Sequence, residues 1–283
     1  MVDVRFARPE EREAVAAFMQ EVFPRAKWSI DGWRRLLSGR WSGPEGPYAI
    51  LACDGARIAG VLGIVSATRP SATGDRKTAN MTSWYVLKPY RGQGLGHRMI
   101  ALACSDPAVT VTNFTSSANA VDVVQSAGLS VLDRERFIWR PRATARPLPV
   151  RDAPAGDGLP PRSMRILEDH RGLGLAPHVV ETPDGPCLLL ISRQRRSDAY
   201  ESWEVCHLSD RAIFAAHDRA IADSLLPGSG AVLSCDSRLV DGAAEMDAVE
   251  ALSVPRFYST GAMAPAEVDP LYSEVVLLNM KLA

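Results

Sequence analysis

The 283-residue chain has no excess of either charge sign: 32 Lys and Arg stand against 33 Asp and Glu, a net of −1. No long run of like charge occurs, so neither a nucleic-acid partner nor an anionic membrane surface is expected. Nowhere do eighteen apolar residues follow one another, and residues 1–5 show no basic flank leading into an apolar stretch. Neither a membrane span nor a secretory leader is therefore expected. The five cysteines, Cys53, Cys104, Cys187, Cys206 and Cys235, form no CxxC pair and lie far apart among apolar neighbours. An odd, scattered set predicts buried thiols in a reducing, cytoplasmic setting, with no disulfide framework and no metal site.

The length is enough for two cores. Apolar spacing predicts a strand at 2–6 and a helix that starts at Pro9, carries Val15, Phe18 and Val22 on one face and ends at Pro24. A second helix is expected over 29–37, strands over 48–53 and 57–65 around the Asp54-Gly55 turn, a loop over 70–77 and a strand over 81–86. A helix with Leu95, Met99 and Leu102 on one face, a strand over 109–114, a helix over 117–127 ending at Gly128 and a closing strand over 136–140 complete the half. Between 141 and 161 there are six prolines and little periodicity, which predicts an extended linker between a domain at 1–140 and another at 162–283. Strands at 187–191, 203–207 and 231–234 and a helix at 211–226 make the second half a structural echo of the first. The fold class expected is α/β, with two similar halves.

Arg91-Gly92-Gln93-Gly94-Leu95-Gly96 stands directly between an expected strand and an expected helix. Glycines there let backbone N–H groups crowd around an anion, and the helix adds its positive end, so a pyrophosphate is a natural ligand. A dinucleotide fingerprint fails, because the position three after Gly94 is His97 and not Gly. With its flanking elements, the stretch resembles the Gln/Arg-x-x-Gly-x-Gly/Ala motif of the GNAT superfamily of acyl-CoA-dependent N-acyltransferases, matched by Arg91, Gly94 and Gly96. Val86, five residues earlier, matches a Val of that family, and the resemblance covers about residues 1–140.

The resemblance implies a mixed, mostly antiparallel sheet flanked by helices in each half. It implies acetyl-CoA or another acyl-CoA as co-substrate and an amine acceptor, with a primary amine on a small molecule as the reading. It assigns Trp84 and Val86 to the pantetheine and thioester, and the amides of Gly92, Gln93, Gly94, Leu95 and Gly96 to the pyrophosphate, with Arg91 and Lys88 adding charge.

The chain departs from the family where chemistry is concentrated. Val124 falls where a Tyr commonly protonates the leaving thiolate, and residues 81–86 contain no Asp, Glu or His to serve as base. A thiol's ordinary pKa of about 8.5 lets a thiolate leave with little acid help. Asn113, late in its strand, is the weak catalytic candidate, and Glu45, Asp122 and Glu135 read as surface carboxylates. Trp28, Trp33 and Trp41 read as core or as an aromatic wall for the acceptor, and His97 as a solvated or capping group. A non-catalytic acyl-CoA-binding sensor is the rival reading.

In the second half Arg171-Gly172-Leu173-Gly174-Leu175-Ala176 repeats the motif's letters, but Pro177 and Pro183 interrupt any following helix. The counterpart of the cofactor turn is Leu208-Ser209-Asp210, which has no glycine. The second half is therefore expected to resemble a GNAT fold without a cofactor loop, with Asp169-His170 and the run 269–274 as polar groups of interest.

Overall fold

In the computed structural model, which describes residues 2–143, 147–152, 158–196, 200–240 and 245–280, the chain forms two units. The first comprises Met1–Leu132, Val254–Ala264 and Tyr272–Ala283; the second comprises Asp133–Ser253 and Pro265–Leu271.

The first half runs β1 (Asp3–Phe6), α1 (Arg12–Val22), α2 (Ile30–Leu36), β2 (Ala49–Asp54), β3 (Arg57–Ser71), β4 (Gly74–Val86), α3 (Leu95–Ala103), β5 (Val109–Asn113), α4 (Val121–Ser126) and β6 (Ser130–Trp139). Pro9 opens a 3-10 turn ahead of α1, where its missing N–H costs nothing, and Glu11 accepts the Arg8 N–H at 2.8 Å. Ser29 caps α2 by accepting from the Asp31 N–H at 3.3 Å. The expected loop at 70–77 does not exist as such. β3 continues to Ser71 and β4 begins at Gly74, so the two strands form one long hairpin. Pro70 and the buried polar residues Arg69, Thr78 and Asn80 disguise these strands, because their inward faces are not apolar.

The chain continues through β7 (Val150–Asp152), α5 (Pro161–Asp169), β8 (Leu175–Thr182), β9 (Gly185–Arg196), β10 (Tyr200–Leu208), α6 (Arg211–Leu225), β11 (Ala231–Asp236), β12 (Ala248–Tyr258) and α7 (Glu274–Leu277). The linker expected over 141–161 thus contains a strand, while its residues 144–146 and 153–157 lie outside the described residues.

Within the first unit the strand order is β1-β2-β3-β4-β5-β12. All neighbours are antiparallel except β4 and β5, which run parallel over Lys77–Asn80 beside Val109–Thr112. Phe257 and Tyr258 of β12 close this sheet against Asn113 and Thr112. Within the second unit the order is β7-β8-β9-β10-β11-β6, again with one parallel pair, Glu201–Glu204 of β10 beside Ala231–Ser234 of β11. The strand expected to close the first half therefore pairs with β11 instead, Arg136 to Trp139 facing Asp236 to Leu233. Its end is fixed by the fully buried Trp139, whose Nε1–H donates to Asp218 Oδ2 at 3.0 Å in the second core. Each half supplies the strand that completes the other's sheet order.

The first core packs Ile50, Leu62, Met81, Met99, Ile100, Val111 and Phe257 between sheet and helices. Each such side chain contributes about 1.5–3 kcal/mol through its removal from water. Of the five cysteines, four are buried and Cys104 is half-buried, none in a disulfide. Burial pushes the thiols up, Cys104 to about 11 and Cys187 to about 12.

Candidate functional site

The parallel ladder of β4 and β5 ends at Asn80 and Thr112. Beyond it, Ser83 and Trp84 together face the single residue Leu62 of β3, because the register slips between Val61 and Gly63. This bulge bends β4, and Ser83 takes a left-handed φ of 47° to make it, a conformation rare outside glycine. The two strands fork there, and three adjoining clefts line the fork.

The first cleft, about 600 Å³, is lined by Trp84, Val86, Gly92, Gly94, Gly96 and Ser117 among others. The second, about 260 Å³, shares Trp84, Ser117 and Ala120 with it and adds Asn113, Thr115 and Val124. The third, about 540 Å³, shares Phe23, Thr82, Ser83 and Thr115 with the second and is walled by Trp28 and Trp33. Together they form a line from the glycine turn, past the fork, to an aromatic end.

At the glycine turn Gly92 and Gly94 have φ of 78° and 70°, and a Cβ on either would meet nothing within 4 Å. Gly94 is the N-cap of α3, whose first amides have no side-chain cap. The turn thus presents N–H groups that no side chain caps among the described residues, and a positive helix end, to the cleft. Gly96 is required for a different reason: a Cβ there would stand 2.1 Å from Trp84 Cζ2, so the indole lies on the first turn of α3. Arg91 is exposed, and its Nε donates to the Val86 carbonyl at 2.9 Å while the guanidinium lies 5.2 Å over the Tyr85 ring. The Val86 carbonyl therefore already has a partner. Gln93 reaches back to the Pro89 carbonyl at 3.4 Å, and Leu95 is buried in the core below the turn. His97 donates from Nε2 to the Ser126 carbonyl at 3.2 Å, tying α3 to the end of α4.

Val124 is buried and lines the second cleft as a hydrocarbon wall. Asn113 lines the same cleft, and its Oδ1 is buried with no hydrogen-bond partner among the described residues. Glu45, Asp122 and Glu135 are exposed, and none of them lines a cleft of the fork. Trp28 and Trp33 meet edge to face at 5.4 Å between centroids, whereas Trp41 stands apart against Tyr272 at 5.3 Å.

A carboxylate that the sequence points to only as part of the polar run 269–274 stands at the fork. Glu274, the first residue of α7, is fully buried within the first unit, although the run 269–274 was expected in the second half. Thr115 donates to Glu274 Oε1 at 2.6 Å, and the Glu274 N–H donates to Asn80 Oδ1 at 3.2 Å. Asn80 also donates to Thr112 Oγ1 at 3.1 Å, so one amide fastens both β5 and α7 where the strands part. Burial raises the Glu274 carboxyl to about 7, with the Thr115 bond pulling the other way. Ser273 followed by an acidic residue is a helix-start signal, but only contact over 159 positions in sequence gives it meaning.

In the second unit the chain leaves Gly172-Leu173-Gly174 directly into strand β8, with no helix to follow. A cleft of about 240 Å³ there is lined by Glu168, whose carboxylate pairs with Arg171. His170 Nδ1 donates to the Ile166 carbonyl at 2.8 Å, at the end of its own helix. A buried pair is formed by His207 Nδ1 with Asp269 Oδ2, at 2.8 Å. Among the described residues no group of three His, Cys, Asp or Glu side chains is placed to hold a metal, and no helix is long and apolar enough to cross a membrane.

Residues 12–107 match the family model described as "Acetyltransferase (GNAT) family". Among solved structures, a GCN5-related N-acetyltransferase from Anabaena variabilis is similar over 91% of this chain and 72% of its own, with TM-score 0.57 and 11% identity. A probable N-acyltransferase from Enterococcus faecalis has TM-score 0.56 and 11% identity over the same shares. Eis1 from Mycobacterium abscessus covers 91% of this chain and 73% of its own, with TM-score 0.51 and 17% identity. No curated protein matches the sequence. The chain thus has the fold of the GNAT acetyltransferases and carries that family's sequence pattern over residues 12–107.

Proposed function

We propose that the chain is an acyl-CoA-dependent N-acyltransferase that uses acetyl-CoA and acts on a primary amine of a small molecule, in the cytoplasm. One observation carries the reading: the clefts join a glycine turn at a helix N-terminus to an aromatic-walled end through the fork of β4 and β5. The amides of Gly92 through Gly96 suit the pyrophosphate, and the first cleft runs past Trp84 and Val86, which suits the pantetheine arm. Arg91 engages one lone pair of the Val86 carbonyl, which leaves the other for this arm alongside Trp84. The thioester then reaches the second cleft, and the amine approaches from the third, between Phe23, Trp28 and Trp33. The second unit is proposed to be a GNAT-like domain without a cofactor loop.

Val124 supports a second reading, a protein that binds acyl-CoA without transferring its acyl group, since a Val gives no proton. Thiol release measured with acetyl-CoA over a panel of primary amines decides between them. Acceptor-dependent release is expected. Saturable acetyl-CoA binding with no release for any amine would instead make the protein a sensor.

A further inference from the structure

We propose that Thr115 and Glu274 form a two-step proton relay for the acceptor amine, Thr115 touching the substrate and Glu274 holding the proton behind it. The inference rests on the transferase reading and supplies the base that residues 81–86 lack.

The geometry singles out Thr115. It lines both the cleft that would hold the thioester and the cleft that would hold the amine. Its hydroxyl donates to Glu274 Oε1 at 2.6 Å, which leaves the oxygen's lone pairs free to accept a proton from the cleft side. Glu274 itself is sealed from water, so the hydroxyl is its connection to the cleft. Its Oε2 is buried and has no hydrogen-bond partner among the described residues. A buried, half-satisfied carboxylate costs stability, and the chain nevertheless holds it in place through Asn80, Ser273 and Thr115. Those neighbours are neutral. Arg69 of β3 is held 5.0 Å over the ring of Tyr272, two residues before Glu274 in the chain. A carboxyl raised to about 7 is matched to taking a proton near neutral pH.

The steps balance as follows. The amine arrives as an ammonium; one N–H proton passes to Thr115 Oγ1 while the hydroxyl's own proton passes to Glu274 Oε1. The neutral nitrogen then bonds to the thioester carbonyl carbon. The C–S bond breaks with its electron pair on sulfur, and the proton still surplus on nitrogen goes to the leaving thiolate, giving amide and thiol. Glu274 returns its proton through the same hydroxyl after product leaves. No acid is required at Val124.

The test uses the full-length protein, acetyl-CoA and an amine that it acylates, with kcat/KM for the amine followed from pH 5.5 to 9. Wild type should show a rising limb with an apparent pKa of about 7. Glu274→Gln should lose about a hundredfold at pH 7, with its limb moved up toward the amine's own pKa. Its acetyl-CoA Kd, from calorimetry, should be unchanged. Thr115→Val should behave alike, and Thr115→Ser should restore the wild-type profile. That pair decides the matter even where Glu274→Gln fails to fold. A wild-type limb and rate in Thr115→Val or in Glu274→Gln would overturn the relay while leaving the transferase reading standing. Absence of amine-dependent thiol release in wild type would overturn the transferase reading itself, and the relay with it.

Discussion

The two units share a plan and differ in what fills it. In each, six strands follow one order with a single parallel pair of four residues, and in each the strand before the fork carries a bulge, at Ser83 and Trp84 in β4 and at Cys206 in β10. In the first unit the chain then turns through Gly92 and Gly94 into α3, and the fork opens into clefts. In the second it turns through Leu208-Ser209-Asp210 into α6. Asp210 caps that helix by accepting the Ile213 N–H at 2.9 Å, and Ser209 Oγ accepts the Leu188 N–H at 2.9 Å. The Ser209 N–H donates to the Leu188 carbonyl at 2.9 Å, so two amides of this turn are satisfied internally, and a carboxylate stands beside them. Beyond the second fork lie the buried His207–Asp269 pair and Arg238 between Asp133 and Asp236. A sheet topology is therefore not a binding site; three residues at one turn, and the polarity of what plugs the fork, decide whether one exists.

The comparison breaks most sharply at Gly94. Gly94→Asp places a carboxylate where the pyrophosphate is proposed to sit; its Cβ meets nothing within 4 Å, but the φ of 70° strains any side chain there, so the variant's own Tm without ligand is its baseline. With acetyl-CoA a hundredfold above Kd, the wild type should gain about 2.7 kcal/mol in apparent stability and the variant nothing. Calorimetry should give one acetyl-CoA per wild-type chain, and two equivalents would show that the second unit binds as well.

An effect of similar size separates the two plugs. The Glu274 carboxyl is raised in the folded state from 4.5 to about 7, so the folded protein holds a proton that the unfolded chain releases between those values. Ionisation adds no penalty below about pH 4.5, becomes costly as pH rises through that window, and costs on the order of 3 kcal/mol above it. Glu274→Gln should accordingly melt higher than wild type at pH 8 and equally at pH 4. An equal Tm at both would mean that the carboxyl is ionised without cost.

The smallest effect is expected at Val124. Because the wild-type side chain donates no proton, Val124→Ala should lower kcat by less than about tenfold, well short of what losing a general acid costs. A thousandfold loss with acetyl-CoA binding preserved would give this wall a chemical part.

Much of the first unit was legible because its signals are local. The glycines of the turn, the helix over 29–37, the apolar face of α3 and the Asp54-Gly55 turn each depend on neighbours a few residues away. The long β3–β4 hairpin was not legible, since Arg69, Thr78 and Asn80 put polar side chains on an inward face and Pro70 reads as a breaker. Strands β7, β8 and β12 were missed, and β6 was read short and assigned to the wrong sheet, because a strand's partner leaves no mark in its own sequence. Glu274 was noticed as polar but placed in the wrong half. Its neighbours Asn80 and Thr115 lie 194 and 159 positions away, and no spacing rule reaches so far.

The exchange of closing strands also sets a timetable for synthesis. Val111 of β5 meets Ser259 across 148 positions, its N–H donating to Ser259 Oγ at 2.8 Å and its carbonyl accepting from the Ser259 N–H at 2.8 Å. A ribosome that has delivered β1 to β5 has made five of the six strands of the first sheet, and the edge of β5 waits uncovered until β12 emerges. Such distant closure is slow, and an open β edge is the surface on which nascent chains stick to one another. Glu274 arrives later still, so the proposed relay is assembled only after β12 has left the tunnel.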